Sequence, residues 1–99
     1  MDYNLIISST YYHYKLLLDF TNITFSNGNA IIDLPDIPGY RYVNYANIIN
    51  IQDTRVNASG YIDVNNRQLS ITAKWSNTHD NYDETSVVKY LCFLVSNND

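Results

Sequence analysis

Hydrophobic and polar positions alternate with a period of two along most of this 99-residue chain. That period marks strands with one face buried and one face wet. In YYHYKLLLDF, Tyr12, Tyr14, Leu16, Leu18 and Phe20 share one face, and His13, Lys15, Leu17 and Asp19 take the other. The leucines alone would permit a helix, but clustered tyrosines suit a pleated surface better. Thr21 to Phe25 continues extended. Ser26-Asn27-Gly28-Asn29 then reads as a hairpin, because Asn-Gly supplies two residues that tolerate positive φ. Its return strand is Ala30 to Leu34.

Pro35 to Tyr40 reads as a loop, since neither proline can donate a ladder hydrogen bond. Arg41 to Gln52 follows as a long strand whose pattern slips at Ile48-Ile49, the mark of a bulge or of a stretch covered on both faces. DTRVNASG, ending at Gly60, reads as loop. Tyr61 to Val64 and Gln68 to Trp75 form a second hairpin across Asn65-Asn66-Arg67. In its second arm Leu69, Ile71, Ala73 and Trp75 face one way, and Ser70, Thr72 and Lys74 the other. Ser76 to Thr85 is a polar, acidic loop. Ser86 to Val95 is apolar almost without interruption, which places it centrally in a sheet. The N-terminal DYNLIIS fits an edge strand or a lead-in.

These elements predict a single all-β domain over residues 1–99, a compact antiparallel β-sandwich of about seven strands with jelly-roll or Greek-key connections. A chain of this length holds one modest core.

Composition narrows the function. Charged residues are 16% of the chain and the net charge is −4, with polarity coming from Asn, Ser and Thr. The six basic residues, Lys15, Arg41, Arg55, Arg67, Lys74 and Lys89, are scattered. Nucleic-acid binding needs them clustered, so no nucleic-acid partner is expected. No apolar run approaches the ~18 residues of a membrane span, and MDYN lacks the basic start of a signal peptide. Neither membrane insertion nor secretion is expected, and the Asn22 and Asn57 glycosylation patterns read as chance. Cys92, the only cysteine, sits in VVKYLCFLV as a buried thiol, which leaves neither a disulfide framework nor a cysteine zinc site.

Catalysis finds little support. Only His13 and His79 offer imidazole bases, and neither has a glycine-framed serine nearby. The acids lie mostly at strand ends and turns, where Asp side chains bond the local backbone. His79 to Glu84 gathers hard donors within six residues, but without the spacing and glycine of a calcium loop. No enzyme, metal or cofactor is expected. Ten tyrosines are the informative excess, because tyrosine joins apolar area to a hydroxyl with little entropy to lose. Trp75, at the end of its strand, has a ring that either joins the core or stacks on a sugar.

The segments FSNGNAIIDLPDIPGY, NASGYIDVNNRQLSITAKW and VVKYLCFLV resemble, in texture and order over Thr24 to Val95, the C-terminal head domains of phage tail-tip and tail-fibre receptor-binding proteins. Such heads normally close a longer chain, whereas this sequence is a head alone. The resemblance implies a homotrimeric virion component, without a cofactor, that binds a host-surface saccharide or receptor. It transfers no binding residue position by position. The candidates read from this chain are Trp75, His79, Asp80, Tyr82 and Asp83: rings for stacking, and acids and imidazole for hydroxyl hydrogen bonds. The alternative is a small acidic interaction or inhibitor protein that binds a host protein surface.

Overall fold

The computed structural model describes residues 3–8, 14–51 and 54–97, with side chains described at 14–44 and 54–97. Tyr11, Tyr12 and His13 lie outside these, as does the side chain of Tyr45. The strands are β1 (Tyr3–Ser8), β2 (Tyr14–Thr24), β3 (Asn29–Asp33), β4 (Tyr40–Ile51), β5 (Val56–Asp63), β6 (Gln68–Trp75) and β7 (Thr85–Ser96). They form a four-stranded sheet in the order β1-β2-β7-β4 and a three-stranded sheet in the order β3-β6-β5. Every pairing is antiparallel. The fold is the all-β sandwich that the alternation predicts.

The pairing explains how one chain builds two sheets. The runs β2–β3, β4–β5 and β6–β7 each place one strand in each sheet, and β6–β7 is the middle run of the three. A three-stranded ribbon is thereby folded in half, the wrap of a jelly roll. The chain crosses between sheets at one end of the sandwich after Thr24, after Ile51 and after Trp75. β7 is central, between β2 and β4, as its continuous apolar run predicts.

Alternation decides what faces inward. Leu17 on β2 and Val88, Tyr90, Cys92 and Leu94 on β7 are buried against Ile32, Ile62, Leu69, Ile71 and Ala73 of the other sheet. Asp19 shares this inner face and is also buried. Its carboxylate is satisfied there: the Tyr90 hydroxyl donates to Oδ2 at 2.7 Å and the Phe20 N–H to Oδ1 at 2.9 Å. Without such partners a buried carboxylate would be strongly destabilising.

Two local expectations change and two hold. The Asn27-Gly28 turn forms, with φ of 53° and 77° and reciprocal backbone hydrogen bonds between Ser26 and Asn29. The hairpin does not extend beyond it, because β2 pairs with β7 and β3 with β6. Phe25 and Ala30 point into the core and turn the chain around a corner of the sandwich. Among the described residues of DTRVNASG only Thr54 and Arg55 form a turn. From Val56 it is strand, with Val56 and Ile62 buried and Asn57, Ser59 and Tyr61 exposed. Its Asn, Ser and Gly mimic a turn composition, but they lie in a paired strand, Asn57 and Ser59 on its outward face and Gly60 on the inward one. The slip in β4 is real: Ile48 pairs with Tyr90 and Asn50 with Lys89, leaving Ile49 as an extra residue, and a second register shift lies between Tyr42 and Ala46. Toward the N-terminus, Tyr3–Ser8 forms the edge strand β1.

Candidate functional site

Beyond Trp75 the chain turns back along β6. The Trp75 N–H donates to the Asp80 carbonyl at 2.9 Å, and the His79 N–H donates to the Trp75 carbonyl at 2.9 Å. His79 closes this turn at φ 65°. Thr78 Oγ1 accepts from the Asp80 N–H inside it. The Tyr82 N–H then donates to the Ala73 carbonyl at 3.1 Å, and Lys74 and Asn81 bridge. Residues 80–82 thus continue along β6 where β3 leaves off, since the Ala73 N–H donates to Gly28 O at 2.8 Å. The polar "loop" is a short hairpin fastened to the sandwich.

Two further ties hold it. Phe25 N–H donates to Glu84 O at 3.0 Å, and the Asp83 carboxylate accepts the Gly28 N–H at 3.3 Å. A Cβ on Gly28 would stand 2.9 Å from Ala73 O and 3.1 Å from Asn81 Oδ1, at a φ of 77°. Close approach and left-handed backbone both require glycine here.

The fastened hairpin leaves a groove of about 330 Å³ on the outer face of the three-stranded sheet. Trp75 and His79 line one side of it, and Asn57, Ser59, Thr72 and Lys74 come from the outward positions of β5 and β6. A second groove of about 280 Å³, lined by Thr54, Arg55, Ser76 and Asn77, shares Trp75. The indole is half-buried. Its inner side meets the Tyr82 ring edge to face at 5.1 Å, and the Arg55 guanidinium lies 5.1 Å from its centroid. Such rings are held in a fixed orientation, with one edge apolar and the other wet.

The five sequence candidates therefore separate. Trp75 and His79 meet in the groove. Asp80 and Asp83 are exposed on the same hairpin but lie outside the groove lining, with Asp83 engaged by Gly28. Tyr82 is 2% exposed, with its ring between Phe25 and Trp75, so it packs the core and has no face to offer a ligand. The missed residues are Asn57, Ser59, Thr72 and Lys74. Thr72 and Lys74 were legible as one outward face. Asn57 and Ser59 were hidden by reading their segment as loop.

Elsewhere, a groove of about 410 Å³ is lined in part by Arg41 and Arg67. Both guanidiniums are engaged by the fold: Arg41 donates to Ser96 O at 2.8 Å, and Arg67 donates to Leu34 O and pairs with Asp36 at 3.7 Å. Cys92 is fully buried, and desolvation pushes its thiol up to about 12, the opposite of an activated nucleophile. Among the described residues no three His, Cys, Asp or Glu side chains group as metal ligands, and no helix is long and apolar enough to cross a membrane.

Comparison with family models, curated proteins and solved structures returns no match for the chain.

Proposed function

We propose that this domain is a non-enzymatic binding module for a hydroxyl-rich ligand, a saccharide of a host surface, held on the outer face of the β3-β6-β5 sheet. The observation that carries the reading is the groove in which a fixed indole stands beside short hydroxyl and amide side chains. Trp75 offers an apolar ring edge, Asn57 and Ser59 offer donors and acceptors, and Thr72, whose hydroxyl donates to Asn29 Oδ1 at 3.2 Å, offers an acceptor. Lys74 and His79 add donors at the rim. A sugar presents this combination in reverse, with C–H faces that pack on rings and hydroxyls that need partners. The low charge of the chain favours neutral hydrogen bonding over ion pairing.

The resemblance to phage tail-tip heads adds the biological setting to the proposal: a homotrimer at the tip of a tail, on which weak contacts repeated in each copy gain by avidity. Binding to a glycan array and to host cell walls tests it. The wild-type domain is expected to bind. His79→Ala and Thr72→Val, both at exposed positions, should each weaken binding about tenfold, roughly the loss of one good hydrogen bond to the ligand. A wild-type domain that ignores every saccharide and cell wall overturns the reading, as do variants that bind like wild type.

A further inference from the structure

Ile31 and Tyr61 are the most exposed large apolar side chains among the described residues, at 60% and 62%. Both lie on the outer face of the three-stranded sheet, the face that carries the groove. They also share one rung: Ile31 pairs with Ser70 from one side, and Tyr61 pairs with Ser70 from the other. Ser70 is short, so the rung is an open gap between two apolar flanks. Solitary apolar side chains on a surface need no explanation, but a pair in the rung beside a ligand groove does.

The rungs follow one another along β5 and β6. Trp75 pairs with Val56, and the outward pairs after it are Lys74 with Asn57, Thr72 with Ser59, and Ser70 with Tyr61. The first two of these outward pairs line the groove. At the rise of an antiparallel strand, Tyr61 stands about 7 Å beyond Ser59 and about 17 Å beyond Val56, the partner of Trp75. The rung after Tyr61 is closed by the fold itself. Gln68 Nε2 donates to Asp33 Oδ1 at 3.0 Å, and the Asp63 carboxylate accepts from the Asn65 and Asn66 N–H groups and from Asn66 Nδ2. The Tyr61 and Ser70 hydroxyls have no such partner among the described residues. The accessible strip therefore has a ring at each end, Trp75 at one and Tyr61 at the other.

We propose that this strip takes a linear oligosaccharide laid along β5 and β6, with Tyr61 as a second ring platform at the end remote from Trp75. The inference rests on the saccharide reading of the groove and adds the length and course of the ligand. A single sugar beside Trp75 leaves Tyr61 empty, whereas a chain of several units reaches both rings. The Tyr61 ring offers flat apolar area with little entropy to lose, and its hydroxyl can donate or accept. Between the two rings, Lys74 is the only charged residue at the outward positions of β5 and β6, so the strip suits a ligand bound mainly through hydroxyls and C–H faces.

Titration calorimetry tests it against linear oligomers of glucose, of galactose and of N-acetylglucosamine, each from monomer to hexamer, and against size-fractionated host cell-wall polysaccharide. In whichever series binds, wild-type affinity should rise with chain length and then level off. Tyr61→Ala should weaken binding of the longest member about tenfold, the loss of one ring's buried apolar contact. It should leave the shortest member that binds unaffected. Tyr61→Phe, which keeps the ring, should bind like wild type, and urea midpoints check that both variants are folded. Affinity independent of length, or a Tyr61→Ala protein that binds the longest member like wild type, overturns the inference and leaves the groove reading standing. A Tyr61→Phe protein as weak as Tyr61→Ala also overturns it, because the ring would not be the contact. Failure of the wild type to bind any member of any series removes the groove reading, and this inference with it.

Discussion

Phe25, Tyr82 and Trp75 meet edge to face in a row, with centroids 5.4 Å and 5.1 Å apart, and this row closes the corner where β6 hands over to β7. Tyr82 in the middle is enclosed, while Trp75 at the end keeps one edge in water. Truncating the middle ring leaves a cavity flanked by two others that cannot collapse. Tyr82→Ala should therefore lower stability by about 3–5 kcal/mol, in the range of large-to-small aromatic substitutions in cores. Asp80→Ala, in the same hairpin but exposed, should change stability by less than about 0.5 kcal/mol. Urea denaturation measures both, and a Tyr82→Ala protein with the wild-type midpoint would remove Tyr82 from the core. In sequence the two residues carry the same kind of label, polar neighbours in an acidic stretch. Only the packing of the Tyr82 ring between Phe25 and Trp75 shows which of them turns inward.

At the scale of elements, the hairpin of residues 76–84 is held mainly by backbone. The N–H groups of Trp75, Ser76, His79 and Tyr82 all donate to carbonyls, at 2.8 to 3.1 Å. Hydrogen exchange followed by NMR should show these four amides protected relative to that of Asn77, since exchange reports local opening. Exchange of all four at the rate of an unstructured peptide would mean that the groove has no fixed wall. The hairpin was not legible from the sequence because its composition, SNTHDNYDET, is that of any solvated turn. The Asn27-Gly28 signal was legible and correct as a turn. It misled about pairing, because turn chemistry is local, whereas the choice of partner strand depends on which inward side chains the rest of the chain supplies.

Across the whole molecule, the inner face of the four-stranded sheet buries three weak acids, Cys92, Tyr90 and Tyr42. Desolvation raises all three above their ordinary values, with the neighbouring Asp19 adding to the shift of Tyr90 and Cys92. Each folded value lies above the unfolded one, so the associated stability is complete below the unfolded value and fades as pH rises. For Cys92 the window opens near 9.0 and runs to about 12. Stability should therefore be level up to about pH 9 with respect to these groups and fall above it. Cys92→Ala should make that fall shallower. Denaturation midpoints measured at intervals across this range test the sign, and a wild-type midpoint that rises above pH 9 would contradict it.

What the sequence determined by itself was the strand content and, over most of the chain, which residues share a face. Both follow from a period of two, a local property of extended backbone. It also placed β7 in the interior of a sheet, because a strand apolar on both faces has nowhere else to go. Only the tertiary structure decided sheet membership: that β2 and β3 part at their turn, that Asn57 and Ser59 belong to a strand, and that Tyr82 is core while Trp75 edges a groove. These outcomes rest on contacts between residues far apart in the chain, Thr24 with Thr85 and Val56 with Trp75 among them. A pattern read along one strand carries no information about which strand lies beside it.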